Sequence, residues 1–482
     1  MQRDRKVLII GAGPAGLTAG WKLIQKRKYK IVIVDQDSMV GGLAKTIPFK
    51  GCLFDVGPHH FVTNSEEILA LWKFWVGDKF MKLDRFTRIL YKGHFFKYPL
   101  EIFNVLSGLS FVECLKIVGS YFWYRIFPYK NPRSFEQWMI NRFGYHLYKI
   151  FFKSYTEKVW GISCNKISAD WASQRIQNFS LGAAIIYLFL GRFIKKSSHR
   201  TLSKSFYYPI KGSGSLWELV ASDILDAGEE IFLSQRVVRI EHHKGVIKQV
   251  FTSTKGEKSG LRSYKVDYLL SSMALKDLLN ALSPKPPQEV VAAAQKLRYR
   301  GLITINFVVQ ATDVIPDHWL YIHDKRVKLG RIGNMNNFSK QMVLNNENCT
   351  ALSLEYFSFY EDKFWQKSDE EIINIGKTEL NLLGIVKKNK IIAGKVLRFP
   401  QAYPVYDLNY KKNLDIVFGY LKTIKNIFLM GRSGMHCYNN MDIAMMSAIQ
   451  AVDEIEKKSR KDFVLERFDN LQSFYRKKRI EV

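Results

Sequence analysis

The apolar and polar positions of the first 35 residues alternate between short buried runs and a helical pattern. Val7–Ile10 is a continuous apolar run, as in a strand that is covered on both faces. A glycine turn, Gly11–Gly16, follows, and a helical pattern then leads to a second apolar run, Ile31–Val34, which ends at Asp35. This order predicts a strand, a turn, a helix and a second parallel strand.

The glycine turn has the spacing G-x-G-x-x-G. Each position requires glycine for a different physical reason. Gly11 permits the tight turn, Gly13 leaves room for a pyrophosphate, and Gly16 lets the helix pack closely on the strand. The free N–H groups of the helix start attract a phosphate, and Asp35 would accept hydrogen bonds from a ribose. The segment therefore predicts a dinucleotide site, although the turn alone does not identify the dinucleotide.

The pattern of the next segment predicts a hairpin followed by a tight turn. Residues 49–56 alternate in polarity around Lys50-Gly51, and Gly57-Pro58 then precedes two adjacent histidines. Neighbouring side chains on an extended segment point to opposite sides. We therefore expect His59 to face a site and His60 to face away.

The rest of the chain divides into a helical part and a strand-rich part. From residue 65 to about 202 the pattern is helical and rich in aromatic residues. Strands are predicted in 229–253 and 266–274, and again in 301–358 and 390–399, with a helix at 367–383. The tail 426–458 reads as a strand, a glycine turn and a helix.

Two apolar segments are candidate membrane elements. Residues 105–128 carry three charged side chains, and residues 181–194 are shorter than the about 20 residues that a span requires. We expect buried helices at both places. An interfacial helix at 181–194, flanked by Lys195 and Lys196, is the alternative.

The net charge of the chain limits the classes of partner that it is expected to bind. The 482 residues carry a net charge of +29, and 47% of them are apolar, which excludes a disordered chain. Nucleic acid, an anionic membrane and an acidic substrate such as a sugar nucleotide would each suit that charge. No zinc-finger or RNA-binding pattern accompanies it, so we predict no nucleic-acid partner.

The five cysteines indicate a reducing compartment. They lie far apart, with no C-x-x-C spacing, which favours neither a disulfide framework nor a structural zinc. No other metal-ligand spacing is present, and the first strand follows the N-terminus too closely for a cleaved signal. We expect a cytoplasmic protein, with peripheral contact at the inner face of a membrane as an option.

Several stretches together resemble one superfamily. The glycine turn, Gly41-Gly42 and the terminal Gly431-Arg432 motif resemble the FAD-binding parts of flavin amine oxidases and protoporphyrinogen oxidases. Within that group, four motifs resemble UDP-galactopyranose mutases and mutase-like oxidoreductases found with polysaccharide genes. These motifs are FDVGPHHFVTN (54–64), FFKSYTEKVWGI (151–162), SADWASQRI (168–176) and GRSGMHCYNNMD (431–442).

The resemblance implies an α/β fold with a discontinuous Rossmann-type FAD-binding domain. That domain would take 1–85, 203–275 and 400–482, with a helical insertion at 86–202 and a mixed-sheet substrate domain at 276–399. The resemblance also implies which residues would hold FAD. These residues are Gly11, Gly13, Pro14, Ala15, Gly16, Asp35, Gly41, Gly42, Leu43, Gly57, Pro58, His59, Val237, Gly431, Arg432, Asn440 and Asp442.

The same resemblance implies catalytic and substrate-binding residues. His59 of the G-P-H motif would lie beside the flavin, and Arg175 and Arg331 would hold a substrate diphosphate. Tyr403 and Tyr438 would contact that diphosphate. The alternatives are a histidine that shapes the turn, surface arginines, and tyrosines that pack in a core.

The chain also departs from the mutase pattern. Val62 stands where bacterial mutases carry a second histidine, and Met441-Asp442-Ile443 replaces a glutamine-aspartate-histidine sequence. Three functions stay open. They are an FAD-dependent oxidoreductase of a sugar-nucleotide, polysaccharide-precursor or isoprenoid-type substrate, a redox-neutral sugar-nucleotide mutase that uses reduced FAD, and a non-catalytic flavin scaffold.

Overall fold

The computed structural model describes residues 5–98, 104, 108–175, 205–254, 260–344 and 348–457. A π-helix, Tyr148–Lys153, joins two of its α-helices. In chain order the α-helices are α1 Pro14–Ile24, α2 Glu66–Val76, α3 Phe111–Ile126, α4 Phe135–Phe143, α5 Tyr145–Leu147, α6 Ser154–Trp160, α7 Ala169–Arg175, α8 Ser213–Asp226, α9 Leu275–Ala281, α10 Gln288–Lys296, α11 Met335–Phe338, α12 Asp369–Leu382, α13 Tyr410–Leu421, α14 Gly431–Gly434 and α15 Met441–Lys457.

A five-stranded parallel sheet joins the two ends of the chain. Its strand order is β20 (Ile427–Leu429), β13 (Tyr268–Ser271), β1 (Arg5–Ile10), β2 (Tyr29–Val34) and β9 (Glu230–Phe232). The predicted strand, turn, helix and parallel strand are confirmed. Because neighbouring strands are parallel, the turns after β1 and β20 meet at one edge of the sheet.

Helices cover both faces of this sheet, which explains the apolar run in β1. Val7 and Ile9 pack with α1, α8 and α15, whereas Leu8 and Ile10 pack with α9, α10 and α13 on the opposite face. The alternation of side chains along a strand separates these two cores. The predicted helix-covered sheet therefore forms from segments far apart in the sequence.

Two further sheets complete the strand-rich part. A four-stranded sheet has the order β12-β11-β10-β14, with strands Leu261–Lys265, Val246–Thr254, Gln235–His243 and Leu282–Ser283. A seven-stranded mixed sheet has the order β19-β15-β18-β17-β16-β6-β7, with strands Ile391–Pro404, Tyr299–Val309, Thr350–Ser358, Arg331–Asn334, Trp319–Ile322, Thr87–Tyr91 and His94–Lys97. The strand predictions for 229–253, 301–358 and 390–399 are confirmed, and the helix expected at 367–383 is α12.

The helical pattern expected from residue 65 onward is wrong for 80–97. Strand β5 (Phe80–Asp84) pairs with β8 (Ser205–Pro209), while β6 and β7 form one edge of the seven-stranded sheet. The partner of β5 and one partner of β6 lie more than 100 residues away, so local periodicity could not reveal those pairings. The hairpin of β6 with β7 around Lys92-Gly93 is local. The domain limit at residue 86 stays a prediction.

The helical part has its own core but leaves one helix face uncovered. Phe135, Tyr148 and Trp160 belong to a core shared by α4, the π-helix and α6. The expectation of a buried helix in 105–128 is wrong, because only Ile117 and Tyr121 of α3 are buried. Residues 181–194 lie outside the described residues. Among the described helices, none combines the length and apolar character needed to cross a bilayer.

Candidate active site

A cavity of about 830 Å³ lies where the parallel sheet meets the seven-stranded sheet. Turns from both ends of the chain contribute to its wall, together with strands β17 and β19. The predicted residues on this wall are Gly11, Gly13, Pro14, Ala15, Asp35, Gly42, Leu43, Gly57, Pro58, His59, Arg331, Tyr403, Gly431, Arg432, Tyr438, Asn440 and Asp442. The fold therefore brings most of them to one place.

The glycine turn after β1 has the tight geometry that its spacing predicts. Gly11 has φ +105°, and a Cβ there would lie 2.0 Å from Ser272 Oγ. A Cβ on Gly16 would lie 1.7 Å from the carbonyl oxygen of Gly11. Each glycine is required because a larger residue would collide with its neighbour.

Asp35 holds this turn from the end of β2. Its carboxylate accepts hydrogen bonds from Ala12 N at 2.7 Å and from Asp37 N at 2.8 Å. Burial raises the pKa of Asp35, while these two N–H groups lower it. Asp35 therefore fixes the loop in addition to facing the cavity.

The wall around the glycine turn suits a dinucleotide pyrophosphate. A Cβ on Gly42 would lie 3.1 Å from Gly13 Cα, so two backbones approach closely and leave the adjoining space free of side chains. Gly13 precedes α1, and no side chain caps the N-terminus of this helix. Free N–H groups and a positive helix end therefore face the cavity, as FAD binding requires.

Three residues expected to hold FAD do not line the cavity. Gly16 packs beneath the loop, and Gly41 donates its N–H to Ala12 O at 2.8 Å, so both shape the wall from behind. Val237 is 6% exposed and lies in the core with Leu8 and Val34. The resemblance therefore identified loops that shape the wall in two cases, whereas no residue of β10 lines the cavity.

Asp55 anchors the turn that carries His59. Its buried carboxylate accepts hydrogen bonds from Thr46 Oγ1 at 2.5 Å, Tyr208 OH at 2.7 Å and Ser213 N at 3.2 Å. Burial raises the pKa of Asp55 to about 6 despite these bonds. The predicted hairpin, β3 (Thr46–Phe49) with β4 (Cys52–Asp55), is confirmed and ends at this anchor.

His59 and His60 both line the cavity, so the expectation that His60 faces away is wrong. They follow β4 without belonging to a strand, and strict alternation does not apply. His60 stacks on Trp319 with ring centroids 4.8 Å apart. Burial, reinforced by nearby arginines, lowers the pKa of each histidine to about 3, so both are neutral at pH 7.

Arg331 lies opposite this turn and is paired with Glu355. Its Nε donates to Glu355 Oε1 at 2.6 Å, and its Nη2 donates to the other carboxylate oxygen. Burial lowers the pKa of Arg331, but the carboxylate outweighs burial and raises it. The guanidinium therefore stays charged, with part of its charge already compensated.

Tyr403 and Tyr438 stack with ring centroids 5.7 Å apart, and Arg432 lies over both rings. Arg432 also donates to Asn439 O at 2.6 Å and Ala402 O at 3.2 Å. Burial raises the pKa of Tyr403 to about 12. These tyrosines lie on the cavity wall, whereas Arg175 ends α7 and its side chain lies outside the described residues.

Several wall residues were missed by sequence reasoning. The structure adds the cations Lys82 and Arg85, and the aromatic residues Tyr98, Trp319 and Tyr321. No motif marks them, because they come from strands whose pairing was not foreseen. The only available signal was basic and aromatic composition, which many surface segments of this chain share.

Comparisons with known proteins agree with this site. Residues 9–75 match the family of NAD(P)-binding Rossmann-like domains. A dTDP-fucopyranose mutase of Escherichia coli is 30% identical over 175 residues, which cover 34% of this chain and 44% of that protein. The chain thus spans less than half the length of the curated relatives it matches.

Solved structures share the whole fold. A reduced UDP-galactopyranose mutase superposes with a TM-score of 0.83 at 19% identity and covers 97% of each chain. A putrescine oxidase superposes with a TM-score of 0.63 at 14% identity, over 94% of this chain and 99% of that one. At these identities the likeness shows the fold.

Fold, cavity and matches together define an α/β flavoprotein with FAD as its cofactor. The chain resembles the superfamily of flavin amine oxidases and protoporphyrinogen oxidases, and nucleotide-sugar mutases are among the proteins that it matches. The superfamily resemblance and the fold class predicted from the sequence are confirmed.

Proposed function

We propose that this protein is an FAD-dependent enzyme that rearranges the sugar of a nucleotide-linked substrate without net oxidation. One observation carries the proposal. Hydride removal from an alcohol carbon also releases a hydroxyl proton, which a base must accept near neutral pH. Three groups that interact with Arg331, namely His59, Tyr403 and Glu355, are not suited to that task.

Each candidate base beside Arg331 is unsuitable for a different reason. Burial lowers the pKa of His59 to about 3, which makes it a weak base. Burial raises the pKa of Tyr403 to about 12, so its phenol keeps its proton. The Glu355 carboxylate is held in its ion pair with Arg331. Because these groups are poor proton acceptors, the cavity favours a reaction that releases no net proton.

The chain's own groups would bind and orient the substrate. Arg331 uses Nε and Nη2 for Glu355, and its Nη1 has no partner among the described residues, so it is free to donate to a phosphate oxygen. The stacked Tyr403 and Tyr438 place two phenols on the same wall. Reduced FAD, when bound, would supply the electron-rich centre that such a rearrangement needs.

The relatives support the same reaction class. The partial match to a dTDP-fucopyranose mutase and the shared fold with a UDP-galactopyranose mutase both involve enzymes named for nucleotide sugars. An anionic substrate also suits the net charge of +29. These points support the substrate class rather than an individual sugar.

A second candidate is an FAD-dependent oxidoreductase of a sugar-nucleotide, polysaccharide-precursor or isoprenoid-type substrate. Val62 lines the cavity at the position where bacterial mutases carry a histidine, and Met441 lies on the same wall. An apolar wall at this point gives the flavin different surroundings from those in mutases. This observation favours a reaction other than that of the mutases, such as the oxidoreductase reaction.

Stoichiometry separates the two reactions. The purified protein, loaded with FAD and photoreduced, is incubated without oxygen with UDP- and dTDP-sugars, and products are separated by chromatography. The proposal expects many turnovers without an added electron acceptor. Product that appears only in proportion to consumed acceptor would favour the oxidoreductase and contradict the proposal.

A further inference from the structure

Arg85 is a cation on the cavity wall. It follows β5 directly, and Lys82 on the same strand also lines the cavity. The Nε of Arg85 is buried and has no hydrogen-bond partner within the part of the chain that the structure describes. Among the residues that the structure describes, no carboxylate pairs with Arg85.

The other arginines of the wall differ in this respect. Arg331 forms a two-point ion pair with Glu355. Arg432 donates to two backbone carbonyls and lies over two aromatic rings. Their charges are therefore largely satisfied by the protein itself, whereas the charge of Arg85 is not.

The surroundings of Arg85 are aromatic and neutral rather than acidic. Tyr98 and Tyr321, which interact electrostatically with Arg85, are cavity residues with ring centroids 4.9 Å apart. His60 is neutral, and the charge of Arg85 helps to lower its pKa. A partly desolvated guanidinium without a counter-charge is costly, and an anion in the cavity would remove that cost.

We propose that Arg85 and Lys82 form an anion-binding subsite for a phosphate or carboxylate group of the substrate. The guanidinium fork matches the two oxygens of either group, and the lysine adds a mobile second charge. This subsite is separate from the Arg331–Glu355 pair and would select substrates by their anionic group. The inference rests on the proposed function, because it assumes an anionic nucleotide in the cavity.

The test compares Arg85→Gln with the wild-type protein, both loaded with FAD. Binding of UDP, UDP-glucose and UDP-glucuronate is followed by the change in flavin absorbance. We expect Kd to rise by about tenfold or more, as for loss of a charge-assisted hydrogen bond. Arg236→Gln is the matched control, because Arg236 is exposed on β10 and is not among the cavity residues.

The three ligands distinguish the source of the anion. An equal loss for all three assigns the subsite to the diphosphate, and a loss for UDP-glucuronate alone assigns it to a sugar carboxylate. Unchanged Kd values for all three, with normal FAD content, would overturn the subsite but leave the proposed function intact. If the wild-type protein binds none of them, the proposed substrate class itself fails.

A different observation concerns the surface helix α3. Six apolar side chains share one face of this helix, and each is at least half exposed, from Phe122 at 51% to Phe111 at 75%. Successive residues are about 100° apart around a helix, so these side chains span roughly one third of the circumference. The set is Phe111, Val112, Leu115, Phe122, Trp123 and Ile126.

Cations border this face. Lys116 and Arg125 are exposed on its two edges, and Lys130 follows the helix. The one acid in α3, Glu113, pairs with Lys92 at 3.6 Å. An apolar face that carries Trp and Phe between basic edges is typical of helices that lie in the interface of an anionic bilayer.

We infer that α3 docks this protein on an anionic membrane surface. Charge complementarity favours lipid over a second copy of the chain, because two basic faces would repel one another. The helix would lie in the plane of the interface rather than cross it. This inference is independent of the Arg85 subsite.

Vesicle sedimentation tests the docking helix. Full-length protein is mixed at low salt with vesicles of phosphatidylcholine and phosphatidylglycerol, or of phosphatidylcholine alone. We expect binding to the anionic vesicles, lost by about tenfold in Trp123→Glu. Leu225→Glu, a matched control at a residue 51% exposed on α8, should bind like the wild type.

Two results would overturn this second inference. The first is wild-type protein that ignores anionic vesicles at low salt. The second is an oligomer in size-exclusion chromatography that Trp123→Glu dissociates while vesicle binding stays unchanged, which would assign the face to self-association.

Discussion

Arg331 and Glu355 are register partners on adjacent antiparallel strands, β17 and β18, and form a two-point ion pair beside the cavity. The Glu355 carboxylate also lies under the turn that carries His59, since a Cβ on Gly57 would approach it within 3.2 Å. This pair therefore connects the seven-stranded sheet with the turn expected beside the flavin.

Removing one member of this pair should be more harmful than removing both. Glu355 is fully buried, so Glu355→Gln leaves the Arg331 guanidinium without its counter-charge. We expect the free energy of unfolding to fall by about 3–5 kcal/mol. Urea unfolding of the FAD-loaded protein measures this loss.

The double variant Arg331→Met/Glu355→Met is the control for that prediction. It removes the charges together, so it should recover much of the stability lost in Glu355→Gln. If the double variant is less stable than the single variant, the pair does not behave as one unit.

Gly11→Ala should abolish FAD retention. The substitution places a Cβ 2.0 Å from Ser272 Oγ at a residue with φ +105°, so the turn after β1 must change shape. Flavin absorbance of the purified variant measures the loss. Gly77→Ala is the matched control, because Gly77 also has positive φ but has open space around it. Equal FAD content in both variants would contradict the prediction.

Asp35→Ala should weaken FAD binding without unfolding the protein. The variant loses the acceptor for Ala12 N and Asp37 N, so the glycine turn is no longer tied to the end of β2. We expect the Kd for FAD to rise by about 10–100-fold, as for loss of charge-assisted hydrogen bonds. Asp35→Asn keeps one acceptor oxygen, so its Kd for FAD should lie between those of the wild type and of Asp35→Ala. Titration of apoprotein with FAD measures both values.

Acid should destabilise the fold through buried neutral histidines. Burial lowers the pKa of His323 to about 3 and that of His436 to about 4, well below the value of 6.5 expected for an unfolded chain. The unfolded state therefore binds more protons as pH falls below 6.5, and stability decreases from there toward pH 4. Each histidine contributes a slope of about 1.4 kcal/mol per pH unit.

His323→Phe isolates one of these contributions. His323 stacks on Tyr155 with ring centroids 4.5 Å apart, and its Nδ1 has no hydrogen-bond partner among the described residues, so phenylalanine can keep the stacking. Urea unfolding at several pH values between 4 and 6.5 gives the slope of the free energy of unfolding against pH. In this variant the slope should correspond to nearly one proton fewer taken up on unfolding. An unchanged slope would show that His323 is not the neutral, buried group described.

Local sequence predicted the elements whose shape depends on adjacent residues. The turn Gly11–Gly16 follows from glycine sterics, and the hairpin before Asp55 follows from a polarity pattern with Lys50-Gly51 at its tip. Both were predicted correctly, because near neighbours in the chain determine them. The resemblance of short motifs then identified FAD and about half of the cavity residues.

Long-range pairing was the main source of errors. The pattern predicts helix at β5 and β6, whereas β5 pairs with the distant β8, and β6 pairs with the distant β16 as well as with the adjacent β7. The position of His60 was wrong for a related reason, since the turn after β4 abandons strand alternation. In each case tertiary contacts outweigh a local preference.

The sequence by itself determined the cofactor loop, the fold class and the residues on the C-terminal turn, because these depend on local sterics and motif order. The tertiary structure decided that Arg331 is paired with Glu355 and that Arg85 pairs with no carboxylate of the described residues. It also decided that α3 exposes its apolar face. Charge pairing and exposure depend on strand register and packing between distant segments, which no local pattern records.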